Sequence, residues 1–327
     1  LNEKHPGSNL AELNQLLTAI QSREPASFPD FDLLMLTADL KTANGLNEDA
    51  YTAYLGLLDD PQAKSPRAYH HLQLQIGKTA ARLGLNDIAL ASLQEAMLVN
   101  PDHLNTRHIL ANAYVDSGLE EEALITARAA IQIAPSDVDN ILWFSEFMNG
   151  LGNEKEAIQV LKDAIHLRPD NQSLYLTLAR TYAHLDDLPE TKACINNMLE
   201  LDSITTKVYI DVANLYLNLN ETEEASAVIL KAISDNPVPE FDLSRDLVYS
   251  ILRIGDAPAA LRLVDDIQDS LGSHPCYFLL LSDVQVANRQ FIAAHENLKE
   301  LLQRIEFAGD QACFNSQQYS KSSVDFP

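Results

Sequence analysis

Leu104–Val138 reads LNTRHILANAYVDSGLEEEALITARAAIQIAPSDV, and this stretch decides the fold. Apolar residues recur at helical spacing on both sides of a turn at Asp116–Gly118, and Pro135 closes the segment. Small residues at Ala111 and Ala123 stand among larger ones such as Leu110 and Tyr114, the mixture that close helix contacts require. A helix pair of this size cannot bury its apolar faces alone, so neighbouring pairs must stack.

Outward from this stretch the plan recurs with a constant period, in units at 70–103, 104–137, 138–171 and 172–205. Pro101, Pro135 and Pro169 keep that period, as do Ala89, Ala123 and Ala157. So do Ala96, Ala130 and Ala164, and Gly84, Gly118 and Gly152. The prolines follow each second helix, where a missing backbone donor is tolerated. In the unit at 172, Thr191, Met198 and Ser203 replace the usual Ala, Ala and Pro. The unit at 206–240 restores Ala225, Ala232 and Pro237, and a one-residue adjustment is expected around Pro237–Phe241. A seventh unit is marked by Leu247, Val248, Ile251, Gly255 and Ala260. A weaker eighth is marked by Leu281, Ser282, Gln285, Ala294, Leu298 and Leu301. Towards the N-terminus, a first pair begins near Phe31, with Ala38, Gly45, Ala50, Tyr54 and Leu57 in phase.

These marks divide the chain as follows. Residues 1–30 hold an amphipathic helix at Asn9–Ser22, either a capping helix or part of a truncated repeat. Residues 31–64 form one repeat, and 65–69 belong to a connection about five residues longer than a regular join. Residues 70–308 form seven tandem repeats, and 309–327 are a tail. The chain begins at Leu1 rather than Met, which suggests a fragment or a processed chain, and the parent protein could carry a targeting segment or anchor that this sequence lacks.

Composition narrows the function. The chain has 327 residues, 46% of them apolar and 21% charged, enough for a packed array. With 23 Lys+Arg against 47 Asp+Glu the formal charge is −24, which disfavours nucleic-acid backbones and anionic membrane surfaces. No apolar run is long enough to span a bilayer, and a cytoplasmic location is expected. Cys194, Cys276 and Cys313 are odd in number and widely spaced, and suggest neither a disulfide framework nor a metal knuckle. His70–His71 are adjacent on a helix and point apart, without a third ligand. Neither the metalloprotease, phosphate-loop, dinucleotide-fold nor GxSxG signature occurs. No catalytic residue, metal or cofactor is therefore expected. Glu120–Glu122 and Glu223–Glu224 fall near second-helix starts, where they oppose the helix dipole.

The pattern resembles the tetratricopeptide repeat family over about residues 31–308. The unit at 104 supplies Leu110, Ala111, Tyr114, Ala123, Ala127, Ala130 and Pro135. The next supplies Ile141, Phe144, Ser145, Met148, Ala157, Leu161, Ala164 and Pro169. The resemblance implies an all-α fold: a right-handed α-solenoid superhelix of antiparallel helix pairs, about eight repeats long. It also implies a concave face lined by the first helices that binds a peptide or partner-protein segment. Carried over position by position, that face contains Lys78, Arg82, His108, Asn112, Leu142, Glu146, Leu176, Arg180, Lys207, Ile210, Asn214, Arg245, Tyr249 and Arg253, with Asp116, Asn149, His184 and Asn218 beside them.

Within that face Asn112 and Asn214 can both donate to and accept from a peptide backbone. Leu142, Leu176 and Ile210 form a repeated apolar strip, suited either to peptide side chains or to packing between repeats. Arg180, Lys207, Arg245 and Arg253 make a positive area suited to acidic groups, unless nearby carboxylates neutralise it. Chaperone-tail receptors of the family use Lys, Asn and Asn. Here His108, Asn112 and Trp143 stand near the best Asn position, which argues against that role. Trp143 is expected to pack between repeats or to serve as an anchor. The expected function is a protein–protein interaction scaffold. Its alternatives are a structural module that self-associates and the regulatory part of a larger enzyme.

Overall fold

The computed structural model describes residues 30–201, 204–235, 241–268, 272 and 276–308. The expected helix at 9–22, the adjustment at 237–240 and the tail at 309–327 lie outside these. Sixteen α-helices and no strands are found among the described residues, and the helices come in consecutive pairs. The first pair is α1 (Asp30–Ala43) and α2 (Asn47–Leu57), followed by a single 3-10 turn at Pro61–Lys64. Then come α3 (Pro66–Arg82) with α4 (Asn86–Val99), α5 (Leu104–Asp116) with α6 (Glu120–Ile133), and α7 (Val138–Gly150) with α8 (Glu154–Leu167). The remaining pairs are α9 (Gln172–His184) with α10 (Leu188–Leu199), α11 (Thr206–Asn218) with α12 (Thr222–Asp235), α13 (Phe241–Arg253) with α14 (Ala257–Asp266), and α15 (Tyr277–Ala287) with α16 (Phe291–Ala308). The fold is an all-α solenoid of helix pairs. The chain divides into two compact units, Leu1–Val160 and Leu161–Pro327.

Local chemistry sets the boundaries. His103, Asp137, Asn171 and Thr205 recur with the period of the repeat, and each accepts a hydrogen bond from the backbone N–H three residues on. They are the N-caps of α5, α7, α9 and α11, satisfying a donor that the first helical turn leaves free. Asp60 caps the 3-10 turn and Ser65 caps α3, so the long connection is itself ordered.

The turn within each pair needs one residue with positive φ. Gly84, Gly118 and Gly152 supply it at 72–73°, and Asp186, Asn220 and Arg289 supply it at 55–62° without being glycine. These residues keep the repeat period from Gly84 through Asn220, slip by a single position at Gly255, and keep it again to Arg289. Gly45 stands farther from Gly84 than the period, because the 3-10 turn lies between them.

Packing explains the small residues. Ala38, Ala111, Ser145, Ala179 and Ala213 are fully buried on the first helices, and Gly77 takes the same place in α3. A Cβ added at Gly77 would lie 2.5 Å from Leu93 Cγ, so the helices approach too closely for a side chain there. Opposite them Ala89, Ala123, Ala157 and Thr191 are equally buried on the second helices. In the first unit Ala127 packs with Phe144, Met148 and Ala157, which joins α6 to the following pair.

Candidate functional site

In the second unit, first-helix residues surround a cleft of about 350 Å³. It is lined by Arg180, Ala183 and His184 of α9 and by Asp211, Asn214, Leu215 and Asn218 of α11, with Leu219 at the edge. On α11 the lining residues recur at steps of three and four, so the helix presents them on one stripe. Arg180 Nη2 lies 3.6 Å from Asp211 Oδ1, a loose ion pair between partly exposed side chains. Arg253 of α13 reaches back over the repeat. Its Nη1 donates to Asn214 Oδ1 at 2.7 Å and its Nη2 to Asn218 Oδ1 at 3.0 Å. Ser250 Oγ also donates to Asn214 Oδ1, at 3.4 Å. Arg253 is exposed, and the partners of its guanidinium are neutral amides. Among the described residues Arg253 thus meets no carboxylate, whereas Arg180 faces Asp211.

The other expected residues of this unit fall differently. Arg245 pairs with its chain neighbour Asp246 at 3.0 Å. Tyr249 donates to Asp283 at 2.6 Å, and burial with this bond raises the phenol's pKa. Lys207 is exposed. Leu176 and Ile210 are 7% and 6% exposed, so of the two uses open to the apolar strip it is packing that these positions take. Positions carried over from the family resemblance put them on the inner face but carry no information on how far each side chain is covered.

The first unit places its residues in another pattern. His108 stacks on Trp143 with ring centroids 3.7 Å apart and planes 14° apart, and Trp143 continues to Phe147 at 5.1 Å. His108 Nε2 also lies 2.8 Å from Asn140 Oδ1. Trp143 is half-buried and packs against the cluster of Ala127 and Phe144, so it serves packing between repeats. Asn112, Glu146 and Arg82 are exposed, and Lys78 and Leu142 are half-buried. His70 and His71 do point apart. His70 Nε2 meets Thr106 Oγ1 at 3.1 Å, and His71 Nε2 meets Asp39 at 3.3 Å. Burial holds His70 below the usual imidazole range, and His103 and His71 add to this.

Asp211 was missed by sequence reasoning. It lies next to Ile210 and three residues before Asn214, so following the stripe outward from Asn214 would have found it. Glu224 does stand in the first turn of α12, but Lys192 also bridges it and Glu221 from one repeat back, which lowers the Glu224 pKa. Cys194 is free and buried, and burial pushes its thiol up to about 11.

Among the described residues no group of three His, Cys, Asp or Glu could hold a metal ion. No described helix is long and apolar enough to cross a membrane. The first helices of the stacked pairs carry charged and amide groups along their exposed or half-buried positions. Family models described as tetratricopeptide repeat match residues 74–138, 150–203 and 206–238. The chain thus carries tandem tetratricopeptide repeats across residues 74–238. Among solved structures it is similar to a tetratricopeptide repeat protein from Parabacteroides merdae, with 18% identity over 75% of this chain and 93% of that one, and a TM-score of 0.49. It is also similar to MamA, with 20% identity over 50% and 92% and a TM-score of 0.40. The human IFIT1 dimer with m7Gppp-AAAA matches with 14% identity over 91% and 77% and a TM-score of 0.40. No curated protein matches the chain.

Proposed function

We propose that the cleft between α9 and α11 binds an extended segment of a partner protein and takes a carboxylate of that segment on Arg253. The observation that carries this reading is the pairing of Arg253 with two amide oxygens and, among the described residues, no carboxylate, beside an open cleft in a chain of formal charge −24. A guanidinium held by neutral acceptors can exchange one of them for an anion and gain a charge-assisted bond. Arg180 is the second cation, released from its long contact with Asp211 as the ligand enters. Asn214 and Asn218 then offer amide groups to the backbone of the bound segment.

The test is fluorescence anisotropy with a panel of labelled extended peptides that differ only in an acidic, neutral or basic central residue. Acidic members should bind about tenfold tighter than neutral ones, the response to one charge-assisted bond of roughly 1.5 kcal/mol. Arg253→Glu should abolish that preference, and added salt should weaken it. Equal binding of all three classes would overturn the reading.

A second reading, self-association through the last helix pair, is favoured by its exposed apolar residues. Phe291 is 63% and Ile292 79% exposed on α16. A molecular mass that does not change with concentration would remove it.

A further inference from the structure

Among the described residues four tyrosines donate to a carboxylate, and one of these carboxylates lacks compensation. Glu95 and Asp235, bonded by Tyr69 and Tyr209, are exposed to water. Asp39, bonded by Tyr54, also meets His71. Asp283 is half-buried on α15, and its one partner among the described residues is Tyr249 Oη, which donates to Oδ2 at 2.6 Å. Its Oδ1 accepts no hydrogen bond from them.

The two arginines of α13 are both engaged elsewhere. Arg245 pairs with Asp246 at 3.0 Å, and Arg253 turns back to Asn214 and Asn218. Burial accordingly holds the Asp283 carboxyl above the usual carboxylate range, although the phenol's bond opposes this. A half-buried carboxylate without a cation is costly unless a cation reaches it from outside. Its surroundings select which cation fits. Oδ2 is already engaged by Tyr249, so one oxygen is left open; a bidentate guanidinium needs both, whereas a point-charge ammonium needs one. Leu279 and Val286 stand one turn before and one turn after Asp283 on α15, half-buried and 43% exposed. Such apolar surface suits the methylene stem of a lysine.

We propose that Asp283 and Tyr249 form a binding site for the ammonium group of a partner's lysine, with the lysine stem over Leu279 and Val286. The site is built from α13 and α15 and does not depend on Arg253 taking a carboxylate. Arg253 is turned toward α11 while Asp283 stands on α15, so a segment that used both would present its acid and its lysine in a fixed order.

Amide NMR spectra of the isotope-labelled full chain, titrated with Nα-acetyl-lysine methylamide, test it. The Tyr249 and Asp283 resonances should shift saturably, at roughly tenfold lower probe concentration than with the uncharged norleucine counterpart. Asp283→Asn, which keeps an acceptor for Tyr249, should abolish that preference. Arg253→Glu should leave it intact, so failure here and failure of the carboxylate reading are told apart. Equal responses to the two probes, or a lysine preference that survives Asp283→Asn, would overturn the proposal. So would shifts that spread without saturation over exposed carboxylates such as Glu120–Glu122, since net charge alone would then attract the probe.

Discussion

Asn112 and Asn214 hold the same place in repeats that lie three apart, one in each unit, and the structure treats them differently. Asn214 is gripped by Arg253 and Ser250 from the following repeat. Asn112 is exposed at the surface of α5. Four residues earlier the contrast reverses. His108 in the first unit is stacked under Trp143, while Ile210 in the second is simply buried. Repeat geometry therefore fixes where a side chain points, and the residue supplied by the next repeat decides whether it is covered, gripped or left open. In the first unit an aromatic ring fills the gap between neighbouring first helices. In the second an arginine spans it and leaves a cleft beneath.

The contrast rests on a shared frame of close helix contacts, so the largest effect should come from breaking that frame. Ala123→Leu in the first unit and Thr191→Leu in the second both overfill fully buried contacts and should each cost about 1–3 kcal/mol by denaturant titration. A cost in only one unit would mean that the frame is not shared. Next in size is the asparagine pair. Asn214→Ala should weaken acidic-peptide binding by about 1 kcal/mol, roughly fivefold, because Arg253 loses an acceptor that orients it. Asn112→Ala should leave binding unchanged in the same titration. If both changes weaken binding equally, the gripping of Asn214 is irrelevant to the site.

A smaller effect separates the units at their turns. Gly118 meets its positive φ without a Cβ, whereas Arg289 meets nearly the same angle with a full side chain. Arg289→Gly should therefore stabilise the second unit by about 0.5–1 kcal/mol, and Gly118→Arg should destabilise the first by a similar amount. A thermal melt of each variant reads both signs.

Much of the frame could be read from residue types alone. Ala123, Ala130 and Pro135 repeat at an interval set by the length of one helix pair, and Gly118 marks a turn that few other residues enter cheaply. The N-cap series was legible too, but His103 hides it, because an imidazole nitrogen is an unusual cap beside Asp137, Asn171 and Thr205. The candidate site was legible only in part. Arg180, Asn214 and Arg253 were on the expected face, and the structure gathers them at one cleft. Their partners were not foreseeable, since whether an arginine meets Asp211, an amide or its neighbour Asp246 depends on side-chain reach across repeats. Leu176 and Ile210 show the same limit, because exposure on an inner face is a property of two repeats and not of one.

The most local consequence of the comparison lies at His108. Burial holds its imidazole below the ordinary range, although the bond to Asn140 and the charge of Asp137 oppose this. Its folded pKa is thus depressed from the ordinary value of 6.5, and so is that of His70. The stability they contribute is fully present above about pH 6.5 and is lost as pH falls through the window below it, because the unfolded chain takes up its protons first. General acidification works the other way, by relieving repulsion in a chain of charge −24, so the whole-protein melt mixes two opposed trends. Trp143 removes that ambiguity. It is the chain's one tryptophan, and it stacks directly on His108, so its fluorescence reads out the surroundings of this ring pair rather than of the whole protein. Protonating the stacked imidazole should quench it, with a midpoint below about 6.5, and His108→Gln should abolish the transition while leaving peptide binding at the second-unit cleft intact. A midpoint at or above that value would mean that the stack is open to water, and the first unit would then keep an accessible aromatic surface.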